Sequence, residues 1–201
     1  RWGRPCIAVP ADLTQEEEVA RAVQTARQRL GPIDILFAGG GTMLFKPLVP
    51  EPGQRHWLAD LVPGFDAATT LKEWRWLLDQ NLTSTFLLLK AAVPQMMERG
   101  YGKVLLLSSM FAGKGFKYYA IYSGTKGFFP AMLRALALEW AKYHITVNAL
   151  APGYVPTGMN EFSFRNPRLR EMMLKSIPLG RFLTTREVGL LAVYLASPAA
   201  D

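Results

Sequence analysis

Two residues carry the first chemical signal, Tyr122 and Lys126. Four residues apart on a helix, they lie on one face, a turn apart. A free phenol titrates at about 10 and is a poor base at neutral pH. A nearby ammonium favours the phenolate and lowers that value. Such a pair is a proton donor and acceptor poised nearer working pH. Alone, Tyr-x-x-x-Lys is a weak signal that many surface helices share. Ser108-Ser109 strengthens it, because this pair ends the apolar run Val104–Leu107. A strand end and the start of the following helix point into the same crevice, so Ser109 and Tyr122 can meet on one carbonyl oxygen. Two donors there would stabilise the alkoxide that forms when a hydride arrives. A Ser pair is otherwise ordinary turn chemistry. Asn81 sits inside a long helical pattern, where Asn is a poor helix former. Such a residue usually faces solvent unless it marks a kink that frees a carbonyl.

These residues need elements to place them. Four short apolar runs are of strand length: Cys6–Pro10, Ile33–Ala38, Val104–Leu107 and Ile145–Leu150. Helical patterns lie between them. Capping boxes at Thr14–Glu17, Thr70–Glu73 and Thr184–Glu187 open three of these patterns. Strands alternating with helices predict a doubly wound parallel sheet, a three-layer α/β/α fold. The runs are continuously apolar, which fits a sheet covered on both faces. From Phe128 to Ala141 only Arg134 and Glu139 are charged. A helix apolar nearly all round is covered on more than one side, by the sheet and by either a second subunit or a later helix of the chain. Pro130 within it predicts a local kink. Residues 42–69 carry four prolines and no clean period. They leave the carboxyl end of a predicted strand, where open α/β sheets bind ligands, so the expectation is a lid or pocket wall, with an oligomer contact as the competing reading.

In this order the motifs resemble the short-chain dehydrogenase/reductase family. They are Asp12-Leu13 after a strand, Ala38-Gly39-Gly40-Gly41 after the next, Asn81-Leu82, Ser109, Tyr122-Ser-Gly-Thr-Lys126, and Asn148-Ala-Leu-Ala-Pro152-Gly153 with Thr157. The resemblance covers the chain apart from 42–69. It implies a Rossmann-like domain and a role for each matched residue. Tyr122 would be the general acid/base, and Lys126 would lower its pKa and hold the nicotinamide ribose. Ser109 would polarise the substrate carbonyl, and Asn81 would hold a water of a proton relay. Asp12 and Leu13 would meet the adenine. Ala38, Gly39, Gly40 and Gly41 would let the backbone pass close to the cofactor. Pro152, Gly153, Val155 and Thr157 would cradle the carboxamide and a phosphate. Two departures stand out. Ala38-Gly-Gly-Gly41 replaces the usual Asn-Asn-Ala-Gly, and the family's glycine-rich phosphate loop is not in the sequence. The chain therefore resembles one that opens at the third strand and stops before the last, a single domain incomplete at both ends. Residues 1–201 alone are not expected to be active without a helix N-terminus for the pyrophosphate.

Half the 201 residues are apolar and 19% are charged, which argues against disorder. One cysteine, Cys6, excludes an internal disulfide framework and fits a reducing compartment. No apolar run is of membrane-spanning length. The expectation is a soluble, cytoplasmic protein with no membrane partner and no metal site. Residues 1–100 hold 11 basic and 11 acidic side chains, whereas residues 101–201 hold 12 and 5, so the whole +7 lies in the second half. That suits an anionic cofactor or substrate, or a solvated face. The basic residues form no run that would suggest nucleic acid. The expected activity is hydride transfer between NAD or NADP and a carbonyl or secondary alcohol, in a homo-oligomer, a dimer or tetramer. The alternative is a non-catalytic Rossmann-like nucleotide-binding or regulatory protein. Residues 158–176, with Arg165, Arg168, Arg170 and Lys175 among several Met residues, are expected to close over an anionic substrate beside Tyr122.

Overall fold

A computed structural model describes residues 3–53 and 55–201. Three parallel strands form its sheet: β1 (Ile35–Ala38), β2 (Gly102–Leu107) and β3 (Ile145–Leu150), in the order β1-β2-β3. The registers pair Leu36 with Val104, and Val104 with Val147. Around it lie α1 (Glu16–Leu30), α2 (Leu71–Leu78), α3 (Ser84–Arg99), α4 (Ala120–Trp140), α5 (Glu161–Arg165), α6 (Pro167–Lys175) and α7 (Thr185–Ala196). Alternate residues of a strand face opposite sides. Val104 and Leu106 join Leu89, Val93 and Met96 of α3 and Phe129 of α4 in the main core. The other face of β2 and β3 meets α7. The chain thus has the Rossmann-like three-layer fold that the motifs predict.

Several expectations are corrected. Cys6–Pro10 is not a strand: it forms no ladder and its side chains are mostly exposed. Among the described residues it joins no ladder, and an apolar run of strand length is a strand only where it pairs with another. Only β2 is buried along almost its whole length; β1 alternates, with Ile35 and Phe37 nearly half exposed. Of the three capping boxes, those at Thr70 and Thr184 form. The one at Thr14 does not. Gln15 is the N-cap, Asp12 accepts from Thr14 N at 2.9 Å, and Glu18 accepts from Asp12 N at 2.8 Å. Local side-chain bonds have displaced the box.

Residues 42–69 build a small core of their own. Leu58 and Phe65 pack there against Leu169 of α6. A staple holds this segment to the body: Lys46, almost fully buried, donates to both carboxylate oxygens of Glu73 at 2.8 and 3.0 Å. Glu73 also accepts from Thr70 N at the start of α2. Among the described residues no helix is long and apolar enough to cross a membrane.

Candidate active site

A π-helical turn, Asp79–Thr83, joins α2 to α3 with Asn81 at its centre. Such a turn often marks a functional position, and the usual solvent-facing reading of an Asn inside a helix is corrected here. Asn81 is wholly buried. Its Oδ1 accepts from Thr42 N at 2.7 Å, and its Nδ2 donates to Thr42 O at 3.0 Å and to Thr125 Oγ1 at 2.9 Å. One amide therefore ties the segment after β1 to α4. Gly41 lies against this amide with φ +148°; a Cβ there would stand 2.8 Å from Asn81 Oδ1 and 3.4 Å from Lys126 Nζ.

The two serines at the end of β2 divide the work. Ser108 Oγ donates to Lys126 O at 2.8 Å and so pins α4 to the strand. Ser109 caps the short 3-10 turn Met110–Ala112, accepting from Phe111 N, and its hydroxyl faces the phenol of Tyr122. Tyr122 and Lys126 occupy one face of α4, as their spacing predicts. Their electrostatics differ from the expectation. Burial raises the Tyr122 phenol above its usual range, and the Ser109 hydroxyl draws it only part of the way back. Burial also lowers Lys126, to about 8. Lys126 Nζ stands 5.9 Å from the Tyr122 ring centroid and donates to Leu107 O at 2.8 Å. The ammonium is thus directed at the end of the strand and does not by itself bring the phenol down. Two of its three donors remain for a ligand.

Ser109, Tyr122 and Lys126 line one cavity of about 530 Å³. Gly39, Gly40 and Gly41 form part of its wall, as do Pro152, Gly153, Val155 and Thr157. Asn160 holds that last stretch in shape, accepting from Thr157 N at 2.9 Å and donating to Val155 O at 2.9 Å. The remaining site candidates lie outside the lining. Asn81 is behind the glycine wall. Ala38 is buried in the core at the end of β1. Leu13 approaches the wall from behind, with Cδ1 3.4 Å from where a Cβ of Gly40 would be. Asp12 bonds to Thr14, which holds its carboxyl below the usual range. The sequence reading missed the α7 wall, where Thr185, Val188, Gly189 and Ala192 face the cavity. Their i, i+3, i+4, i+7 spacing was the available signal.

The substrate end is aromatic. Phe111 lies edge-on to Tyr122 at 5.8 Å and stacks on Tyr119 at 4.7 Å; Tyr119 in turn stacks on Phe45 at 4.7 Å. Residues 42–69 and 158–176 meet here, since Phe45 also stacks on Phe162. Their basic residues are engaged, however. Arg168 lies 3.9 Å over the Trp57 ring, Arg170 lies 5.7 Å over Phe182, Arg165 pairs with Glu161, and Lys175 pairs with Glu171.

Residues 1–201 match the profile of the family described as Enoyl-(Acyl carrier protein) reductase. The chain is 29% identical over 199 residues to a 5-keto-D-gluconate 5-reductase of Escherichia coli (strain K12), covering 99% of this chain and 71% of the relative. It is 35% identical over 130 residues to a 2-dehydro-3-deoxy-D-gluconate 5-dehydrogenase of Bacillus subtilis (strain 168), covering 65% of this chain and 51% of that one. A crystal structure of a gluconate 5-dehydrogenase from Burkholderia cenocepacia J2315, in complex with NADP and tartrate, superposes with a TM-score of 0.82 at 28% identity over 94% of this chain and 68% of that one. With its fold, its ordered motifs and a profile match along its whole length, the chain belongs to the short-chain dehydrogenase/reductase family of oxidoreductases.

Proposed function

We propose that the protein interconverts a carbonyl and a secondary alcohol, with Tyr122 as general acid/base and NAD or NADP as the hydride carrier. The supporting observation is that Ser109, Tyr122 and Lys126, from a strand end and two turns of one helix, line the same cavity as a bank of three glycines. That cavity fits the nicotinamide half of the cofactor. Gly39, Gly40 and Gly41 present backbone without side chains, the ammonium of Lys126 has donors to give to ribose hydroxyls, and the loop Pro152–Thr157 forms the facing edge. When bound, the cofactor supplies or accepts the hydride. The chain's own residues do the rest. Ser109 and Tyr122 both donate to the substrate oxygen and hold the carbonyl in place. In reduction the Tyr122 hydroxyl hands its proton to that oxygen; in oxidation it takes one. Lys126 and the Asn81 turn behind it then provide the route by which that proton is replaced.

The substrate we favour is a polyhydroxylated keto acid or its alcohol. Two relatives, one a gluconate-type reductase and the other a dehydrogenase, carry names of that class. The chain is read as a single cofactor-binding domain whose copies associate through α4. Along that helix Gly124, Phe128, Ala131, Ala135 and Leu138 form an exposed stripe, with Leu138 83% accessible. Among the described residues no helix covers it.

Tyr122→Phe in the full-length enzyme is the direct test. It removes the proton donor and leaves the ring, so kcat should fall by roughly 10²–10⁴ while cofactor affinity, read by fluorescence titration, stays close to wild type. Near wild-type turnover would reject the assignment. A purely regulatory nucleotide-binding role would leave the Ser109–Tyr122 pair without a purpose, and the same measurement separates the two readings.

A further inference from the structure

Among the described residues of 42–69, Thr42 alone lines the cavity of Ser109, Tyr122 and Lys126. The rest of the segment is nevertheless tied to two parts of that cavity's wall. On the Tyr122 side the tie is Tyr118, just ahead of α4. Its carbonyl accepts from Lys46 N at 2.9 Å and its backbone is left-handed, with φ +70°. For a bulky side chain that conformation is costly and persists only where the surroundings impose it. The Tyr118 hydroxyl meets His56 Nε2 at 3.2 Å. His56 Nδ1 in turn accepts from Leu58 N at 3.2 Å and caps the 3-10 turn Trp57–Asp60. The second tie reaches the wall formed by Val155, Thr157, Met159 and Asn160. Asn160 donates to Val155 O, accepts from Thr157 N and stands at the N-cap of α5. Phe162 of α5 and Leu169 of α6 then pack with Leu58 and Phe65. Beside them Arg168 lays its guanidinium 3.9 Å over the Trp57 ring. Trp57 thus opens a turn that is anchored to the Tyr122 side and supports the helix that carries the other wall.

We infer that Trp57 is a positioning residue, which through Arg168 fixes the Val155–Asn160 wall relative to Tyr122. Residues 42–69 act as a bridge between the two walls, and Trp57 needs no contact with substrate. The inference rests on the oxidoreductase reading above. It gives Arg168 a role other than drawing in an anion, since a planar guanidinium stacks on an aromatic face. Phe164 also packs edge-on against Phe182 at 4.7 Å. Loss of the Trp57 contact therefore loosens α5 and α6 without unfolding them. A wall that holds substrate equally before and during the reaction shows in KM and leaves kcat alone.

The test compares Trp57→Ala, Trp57→Phe, Arg168→Ala and the double variant Trp57→Ala with Arg168→Ala, all in the full-length enzyme. Hydrogen exchange read by mass spectrometry reports the order of residues 161–175, and reduction of 5-keto-D-gluconate reports the wall. In Trp57→Ala and in Arg168→Ala, exchange across 161–175 should be about two- to fivefold faster, the scale of one exposed cation–π contact. Exchange in α1 and α3 should stay as in wild type. KM should rise by the same factor while kcat holds within about twofold. The double variant should be no worse than Trp57→Ala, because both changes remove one contact. Trp57→Phe keeps an aromatic face and should restore most of both losses. Unchanged exchange in 161–175, faster exchange throughout the chain, losses that add in the double variant, or a Trp57→Phe no better than Trp57→Ala would each overturn the inference. So would a KM that moves in Arg168→Ala but not in Trp57→Ala, which would return that cation to the substrate. A wild type without turnover of 5-keto-D-gluconate would count against the substrate class alone, and the exchange measurement then decides. Failure of the underlying reaction scheme shows separately, as turnover that survives Tyr122→Phe.

Discussion

Asn81 makes three side-chain bonds that no other residue of its size and shape supplies together: it accepts from one peptide N–H and donates to a carbonyl and a hydroxyl. The cost of an Asn in a helix is offset here by the π turn that aims it inward. Gly41 is the counterpart. Its φ of +148° is strained for any side chain, and a Cβ would lie 2.8 Å from the Asn81 oxygen. Gly41→Ala should therefore push the amide out of place and disturb the Lys126 ammonium beside it. We expect a lower melting temperature together with a fall in kcat of about tenfold or more, the scale at which misplacement of catalytic groups is felt. Calorimetry and steady-state kinetics on the same preparation read both; an unchanged kcat in a destabilised variant would show that the glycine serves folding only.

At the scale of elements, the segment 42–69 is held by charge as much as by packing. Lys46 is buried against Glu73, and Glu73 is also the N3 residue of the capping box that starts α2. The Lys46 ammonium, with the Thr70 backbone amide, keeps the Glu73 carboxyl at about 2, below its ordinary 4.5. A carboxylate lowered on folding contributes stability that is fully present above its unfolded value and is lost as pH falls through the folded one. Wild type should therefore exceed Glu73→Gln in melting temperature at pH 6, and the difference should shrink between pH 4.5 and 2. A difference that persists at pH 2 would mean that the capping geometry matters and the charge does not. The lid segment is tied in another way, since Arg168 stacks on Trp57. That contact links α6 to residues 42–69 and occupies a cation that the sequence reading assigned to an anionic substrate.

For the whole molecule, the exposed stripe on α4 is the feature that the chain's own core leaves unexplained. Phe128 is 46% accessible and Leu138 83%, on a helix whose opposite side carries the candidate active-site pair. Burying both side chains in a twofold contact would contribute several kcal/mol per pair of subunits at about 25 cal/mol per Å² of apolar surface. Phe128→Glu with Leu138→Glu puts like charges face to face there. Light scattering of the full-length protein should then report monomer where wild type is dimer or tetramer. A wild type that is already monomeric, or a variant that stays assembled, would move the contact elsewhere. Such an association would also brace the helix that positions Tyr122.

What this sequence decided alone is local. The Thr70 and Thr184 capping boxes, the Tyr122–Lys126 spacing and the strand character of β2 and β3 were all readable, because each depends on neighbours within a few residues or on an unbroken apolar run. The family's motif order made Ser109 and the Gly39–Gly41 wall legible as one site. Tertiary structure decided the rest. Cys6–Pro10 had the composition of a strand, but a strand exists only beside another, and among the described residues it joins no ladder. The Thr14 box was lost to bonds from Asp12 and Glu18. The Lys126 ammonium was drawn to Leu107 O rather than to the phenol four residues before it. Burial moved Tyr122 up and Lys126 down, opposite to what their pairing alone implies. The stack of Phe45 on Tyr119 joins residues dozens of positions apart. Ladder pairing, desolvation and aromatic stacking all depend on which distant residue arrives at a given place, and no short-range pattern carries that information.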